Sequence, residues 1–577
     1  MKNEDALTRF TENYKGEKFD IIIIGGGISG AAIAYDAASR GLSVALIDKK
    51  DFGGATSAVT SKLIHGGLRY LATMEFGLVR ESLRERRIME NIAPNFVYPI
   101  PFMVTTNRTK LTNTKWVIKI GMMLYDILSF DKAFTWDRSK RMPLHTTYSK
   151  KKVRELEPNV KDEGLTGASV YYDCISIFPE RLTLAFIKSA VQYGAKVANY
   201  AEAVGFLHSD DNRIAGVTVL DTITGKKIDV AGRLTLNCGG PWADIILGLA
   251  KKKVQGEHLR RSEGIHLITR KLVYDHAVGS ITSEGRHIFV IPWREHSLIG
   301  TTDKEYVGSP DEYHVTAQSI MELLDEVNAS FGDGSLSFDD VLYVYGGLRP
   351  LVEDQTKDVY ESSRKYEIYD NRRDGLDGLI TVEGGKYTTS RNLAENALKL
   401  IGRKLGKRLP RTITDKTYLH GSEIPDISDF LQKIVRDNPD FDRRTVEYLG
   451  KIYGLEYSRV LEIARKDKSL AVTVDDDGEI LAQVAYAARF ESAKTLNDIL
   501  FRRTGIGTLG NPGDTVLRAA ARVAARELGW GPGRTREELA KAVRALTVPL
   551  SDTQDRAASK KRSRAGANKK HVKRSKK

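Results

Sequence analysis

Cysteine is almost missing from this sequence: its 577 residues hold two, Cys174 and Cys238, far apart and outside any C-x-x-C pair. A disulfide scaffold is excluded, and so is a four-cysteine iron–sulfur or zinc site. Any further electron carrier must come from another molecule. Long apolar runs are missing as well, since no stretch reaches the roughly 20 residues of a membrane-spanning helix. The opening Met1-Lys2-Asn3-Glu4-Asp5 lacks the basic region and apolar core of a secretory signal, so a cytoplasmic chain is expected. Negative charge is in short supply, with a formal net of +14. Mapped along the chain, the excess lies mainly at one end: Ser551 to Lys577 carries 11 Lys or Arg against 2 Asp, a net of +9 that leaves +5 for the rest. That tail has almost nothing apolar to bury and reads as disordered. Anionic lipid headgroups, nucleic acid or an acidic partner would all suit it, as would no dedicated target. With so little basicity elsewhere, nucleic acid is not an expected partner of the chain as a whole.

What is present begins with Phe19-Asp20-Ile21-Ile22-Ile23-Ile24, a buried parallel strand by its continuous apolar run. Gly25-Gly26-Gly27-Ile28-Ser29-Gly30 follows as G-x-G-x-x-G, and Ala31 to Arg40 continues as a helix. Gly25 permits the tight turn, Gly27 lets backbone approach a pyrophosphate, and Gly30 lets helix and strand pack closely. The helix amino terminus then faces the anion. Gly41 ends the helix, Ser43 to Ile47 is a second strand, and Asp48 stands at its end where a carboxylate binds ribose hydroxyls. Strand, turn, helix, strand and acid in this order specify a bound dinucleotide.

The continuation is the informative part. Asp51 to Leu71 is rich in small and hydroxyl residues, as expected where backbone wraps a ligand. Its Thr56-Ser57…Ser61-Lys62-Leu63-Ile64-His65-Gly66-Gly67-Leu68-Arg69-Tyr70-Leu71 run, after the glycine fingerprint, resembles the FAD-dependent glycerol-3-phosphate dehydrogenases. These are D-amino-acid-oxidase-like flavoproteins, and the resemblance covers roughly Lys18 to Leu546. It implies FAD as cofactor and an α/β fold: a discontinuous Rossmann-like FAD-binding domain, an antiparallel β-sheet substrate domain and a C-terminal α-helical domain. The expected division is FAD-binding at 18–90, 171–260 and 371–410, substrate or cap at 91–170 and 261–370, helical at 411–550, and the basic tail at 551–577.

Other segments follow that plan. Phe76 to Ile92 reads as a helix whose alternating charges, Arg80 to Arg87, form a solvated face. Trp116 to Leu128 is apolar but short; a core helix is favoured over a helix lying in a membrane plane. Leu182, Phe186, Ala190 and Tyr193 share a helical face closed by Gly194, and Ala203–Leu207, Ile214–Leu220 and Leu234–Cys238 read as strands. Leu517, Ala521, Ala524 and Leu528 share a late helical face capped by Gly529.

The resemblance also implies the chemistry. Besides Gly25, Gly27, Ile28, Gly30 and Asp48, the expected FAD contacts are Thr56, Ser57, Ser61, Lys62, Leu63, His65, Gly66, Gly67, Gly240, Trp242, Gly385, Lys386 and Thr388. Arg69 and Arg349, in Gly-Gly-Leu-Arg-Tyr and Gly-Gly-Leu-Arg-Pro, are the expected phosphate-binding guanidiniums, with Tyr70 as a hydroxyl donor. His266 is the expected base for the hydroxyl proton, although a strand-end histidine is more often structural. Arg349 is placed to stabilise a developing alkoxide, and Lys386 to tune the flavin. The expected reaction is oxidation of sn-glycerol 3-phosphate to dihydroxyacetone phosphate by a homodimer, peripheral on the inner face of the cell membrane. Electrons would pass to a quinone; the alternatives are a peroxide-forming oxidase and a flavin-containing binding protein addressed by its tail.

Overall fold

The computed structural model describes residues 6–71, 73–107, 115–250, 259–281, 287–331, 336–351 and 366–550. The basic tail lies outside the described residues. Two sheets and a helical region organise the rest. The first sheet runs in spatial order Tyr366–Asp370, Leu379–Gly384, Lys227–Asn237, Lys18–Ile24, Val44–Ile47, Lys196–Ala198, parallel apart from its first strand. Its central strand Lys18–Ile24 is apolar and buried from Ile21 to Ile24, where both faces are covered. Ile21 and Ile23 pack beneath the helices Ile28–Ser39, Pro179–Gln192 and Ser390–Leu405, while Ile22 and Ile24 pack against the hairpin Ala201–His208 and Ile214–Asp221. Lys18–Ile24 and Lys227–Asn237 lie side by side and parallel, and the crevice beyond their carboxyl ends is where such sheets bind ligands.

The second sheet takes strands from both expected cap segments: Val97–Asn107 and Leu165–Ser176 from one, Arg260–Thr269, Ala277–Ile281, His287–Trp293, His296–Gly300 and Val341–Leu351 from the other. It is antiparallel except where Ala277–Ile281 runs parallel to Val97–Asn107, the pair that joins the two segments into one sheet. Two expected boundaries shift, and one segment crosses between the sheets. Leu165–Ser176 belongs wholly to the second sheet, so the division at 170 cuts a continuous strand. Tyr366–Asp370 pairs with Leu379–Gly384 and so belongs with the first sheet. Leu63–Ile64 crosses to the second sheet by pairing with Cys174 and Ile175.

Two helices differ from their sequence reading. In Phe76–Ile92 the charges are not a solvated face: Glu85, Arg86 and Glu90 are buried. The Arg86 guanidinium donates to Asp173 at 2.7 Å, and Glu85 accepts two bonds from Arg391 at 2.6 and 2.7 Å. The helix runs through the molecule, so its charges find partners on other elements. In Lys115–Leu128, Met122 and Tyr125 are buried as a core helix requires, but Trp116, Ile120, Met123 and Ile127 are more than half exposed.

The C-terminal helices share a core with the second sheet, where Leu517, Ala521 and Ala524 are buried in one cluster with Phe102, Tyr171 and Trp293, and Gly529 closes its helix at φ +68°. This region is pinned to the first sheet by charge. Asp51, three residues beyond Asp48, accepts bonds from Arg502 at 2.6 Å, from Arg503 at 2.7 and 2.8 Å, and from Asn199 at 3.0 Å. The two guanidiniums hold its carboxyl down to about 2 despite complete burial.

Candidate active site

A cavity of about 1250 Å³ is walled on one side by residues following the first-sheet strands and on the other by the second sheet. Its dinucleotide end is set by close backbone approach. Gly25 has φ +108°, and a side chain there would run into the Cys238 carbonyl of the neighbouring strand. Gly27 and Ile28, where the helix Ile28–Ser39 begins, line the wall. The Asp48 carboxylate accepts the Gly26 N–H at 2.7 Å and the Lys50 N–H at 2.9 Å, and burial raises it to about 6. Its remaining lone pairs suit ribose hydroxyls.

The loop from Thr56 to Tyr70 forms the long wall. Thr56 donates to the Leu348 carbonyl at 2.7 Å, which ties the loop to the second sheet, and Ser57 accepts the Ile28 N–H at 2.9 Å. Ser61, Leu63, His65 and Gly67 continue the wall, and Gly240, Trp242, Gly385 and Thr388 also line the cavity. The Thr388 hydroxyl accepts the His65 N–H at 3.2 Å. Burial, reinforced by the cations Lys386 and Arg69, lowers His65 to about 4 and keeps its ring neutral.

Three expected contacts do not line the cavity. Gly30 faces the Gly25 carbonyl, where any side chain would clash; it serves the turn rather than a ligand. Gly66 lies against Leu83 and Tyr125 and donates its N–H to Asp173 at 3.2 Å. Lys62 turns its buried ammonium to Glu180 at 3.0 Å and over the Trp293 ring at 4.5 Å, so its side chain braces the loop from behind.

The other end gathers cations. Arg69 stacks on the Tyr70 ring at 4.8 Å and donates to its hydroxyl at 3.2 Å, while Lys386 covers the same ring at 4.3 Å. Lys386 also donates to Ser82 at 2.7 Å, and burial lowers its ammonium to about 7. Arg349 lies flat over Gly264, where a side chain could not fit, and donates to Thr301 at 2.6 Å and the Thr302 carbonyl at 3.2 Å. His266 bonds Ser61 through Nε2 at 2.8 Å and stacks on Tyr345 at 5.0 Å, while its buried Nδ1 has no hydrogen-bond partner. Burial, with Arg349 and Lys62 nearby, pushes its pKa well down and keeps the imidazole neutral.

Sequence reasoning missed the supports: Ser82 under Lys386, Thr301 under Arg349, and Asp173, which holds Gly66, Arg86 and, at 2.7 Å, the Tyr125 hydroxyl. Only Asp173 left a trace, as the one charge in the strand Leu165–Ser176.

The cavity fits FAD: a glycine turn and Asp48 at one end, a largely uncharged wall, and His65, Lys386 and Gly385 at the other. The family described as FAD dependent oxidoreductase matches residues 20–391, and the C-terminal domain of alpha-glycerophosphate oxidase matches 412–535. A glycerol-3-phosphate dehydrogenase of Synechocystis sp. is 33% identical over 89% of this chain and 93% of its own length. An alpha-glycerophosphate oxidase of Streptococcus pneumoniae is 30% identical over 84% of this chain and 88% of its own. The solved glycerol-3-phosphate dehydrogenase of Bacillus halodurans, complexed with FAD, superposes with a TM-score of 0.74 at 26% identity, covering 93% of this chain and 96% of that one. With its glycine turn, its charged cavity end and its C-terminal helices all accounted for, the chain belongs to the FAD-dependent oxidoreductase family that includes the glycerol-3-phosphate dehydrogenases and alpha-glycerophosphate oxidases.

Proposed function

We propose that the protein oxidises sn-glycerol 3-phosphate to dihydroxyacetone phosphate and delivers the electrons to a membrane quinone. The observation that carries the substrate is the convergence of Arg69, Arg349 and Lys386 on one cavity whose other end suits a dinucleotide. A phosphate dianion needs such cationic donors, and guanidinium matches its oxygens bidentately. When bound, FAD accepts the hydride leaving the substrate's secondary carbon. Arg69 and Tyr70 hold the phosphate and so fix that carbon's position. His266, neutral and with Nδ1 unengaged, takes the hydroxyl proton as the carbonyl forms. Arg349, held in place by Thr301 and Thr302, stabilises the negative charge that grows on that oxygen. The two electrons, with two protons, then convert a quinone to its quinol.

Anaerobic mixing tests both halves. Glycerol 3-phosphate should bleach the flavin while free glycerol does not, and a soluble quinone should restore its colour faster than oxygen. Equal bleaching by the two alcohols removes the phosphate-site argument. The match of 412–535 to an oxidase domain favours one competing reading, peroxide formation on the same scaffold. Rapid oxygen uptake with no quinone present would establish it.

A further inference from the structure

The strand His287–Trp293 alternates at its start. Ile288 and Val290 are buried in a core behind the second sheet, while His287 and Phe289 turn to the other face, where both line the cavity. Hydrogen-bond register sets these side chains in rows. Phe289 stands opposite Gly300, and Gly300 opposite His266, so the three share one row across the sheet. Gly264, over which the Arg349 guanidinium lies, is two residues from His266, and His287 is two residues from Phe289. Both steps run the same way, because Arg260–Thr269 and His287–Trp293 are each antiparallel to His296–Gly300. The Arg349 guanidinium and the His287 ring therefore face the cavity in one row, on positions two strands and about 10 Å apart. That is close to the span of a phosphate with a donor on either side.

The charges around His287 favour an anion there. Away from the dinucleotide end, the described charged side chains lining the cavity are Arg69 and Lys386 on turns, Lys161 and Glu163 before the strand Leu165–Ser176, and Asp303 and Arg349 at the sheet. Burial, and after it the charge of Arg69, holds the His287 imidazole below its usual range, so the ring is mainly neutral near pH 7. A ring able to become a cation is thus set beside a guanidinium that opposes its protonation. A phosphate dianion between them reverses this: its charge favours imidazolium, which donates to it as the guanidinium does. Beyond His287 the wall is aromatic, Phe289 against Phe102 at 5.7 Å and Phe102 against Tyr171 at 5.2 Å. His287 marks the polar limit of that wall.

We infer that His287 is a further phosphate-binding residue, closing from the sheet side the anion pocket of Arg69 and Arg349, and that it takes up a proton from solvent as the phosphate binds. The inference rests on the glycerol-3-phosphate reading and adds selection by charge: a phosphate dianion binds together with a proton, whereas an uncharged polyol gives the ring no reason to take one.

The test uses the full-length holoenzyme with its flavin oxidised, and two variants: His287→Phe keeps a ring without a donor, and His287→Gln keeps an uncharged donor. Inorganic phosphate is the probe, titrated by calorimetry near pH 7 in two buffers of different ionisation enthalpy, so that protons taken up are counted. The native enzyme should take up more protons than either variant. His287→Phe should bind phosphate about tenfold more weakly, as loss of a hydrogen bond to a charged group predicts, and His287→Gln should fall between. With glycerol 3-phosphate as substrate, KM should rise in His287→Phe by more than kcat falls. Equal phosphate affinity in the native enzyme and His287→Phe overturns the inference, and so does an equal proton count. A variant that loses FAD or melts early while its phosphate affinity stays native makes the residue structural and overturns it too. Failure of the substrate reading would appear elsewhere, as a native flavin that glycerol 3-phosphate does not reduce, and the phosphate titration would still decide the role of His287.

Discussion

At the scale of single residues, Lys386 is where protonation should be visible in kinetics. Burial lowers its ammonium from the usual lysine range to about 7, so it is a cation below that pH and neutral above it. A cation is what attracts the phosphate dianion and favours a reduced, more negative flavin. We expect kcat/KM to fall as pH rises through about 7, because that ratio reports groups of the free enzyme. Lys386→Met should lower the plateau and flatten this limb; a native profile with the same limb in the variant would assign it to another group. Arg69 acts through geometry as well as charge. Arg69→Ala should cost about 2–5 kcal/mol in kcat/KM, and Arg69→Lys should recover only part of that because an ammonium lacks the planar fork. Equal activity in the Ala and native enzymes would take Arg69 out of the site.

Residues differed in how legible they were. Gly25, Gly27 and Asp48 follow from a local pattern, because turn, helix terminus and strand end lie within one βαβ unit. Arg69 and Tyr70 continue that same segment. His266, Arg349 and Lys386 lie on three distant strands or turns, and only their motifs tied them to one site. Ser82, Thr301 and Asp173 had no motif, since a supporting hydrogen bond asks only for an oxygen in the right place. Lys62 shows the reverse: its motif placed it at the cofactor, but its ammonium pairs with Glu180 behind the loop.

At the scale of elements, hydrophobic period predicted which segments are helical better than which sides are buried. Phe76–Ile92 carries charges at every turn, and sequence alone could not reveal that Asp173 and Arg391 wait for them. Lys115–Leu128 is apolar on opposed sides, so its period announces a helix without saying which side meets protein. The junction between Asp51 and the Ile499–Arg503 turn was equally invisible, because its partners stand 452 residues apart. It nevertheless bears on the cofactor: Asp51 begins the turn whose Gly53 N–H donates to the Gly26 carbonyl at 3.0 Å. Arg503→Met leaves Asp51 buried with one of its two cationic partners gone. It should cost about 3–5 kcal/mol of stability and speed FAD release on dilution. Calorimetry and flavin fluorescence would read the two effects, and native values for both would show the junction to be dispensable. The pH dependence has a definite sign. Asp51 has its folded pKa depressed to about 2, so its stabilisation is present above the usual carboxylate range and is lost as pH falls toward that value.

At the scale of the whole molecule, the quinone-linked function proposed above calls for a membrane address, and two features of different physics are candidates for it. The basic tail offers charge without apolar area; the exposed side of Lys115–Leu128 offers apolar area. Electrostatic attraction is screened within about 8 Å at physiological ionic strength, whereas burial of apolar side chains is little affected by salt. Their contributions can therefore be separated by ionic strength. The described fold ends at Leu550 after the helix Pro532–Leu546, and every described residue of the cavity wall lies before that helix. A chain truncated after Leu550 should turn over glycerol 3-phosphate with a soluble dye at the native rate. Its binding to anionic vesicles should be weaker at low salt but nearly independent of added salt, while the full-length chain approaches the same value as salt rises. A truncated chain that no longer binds vesicles at any salt concentration would make the tail the sole address, and a slowed dye reaction would make it part of the enzyme.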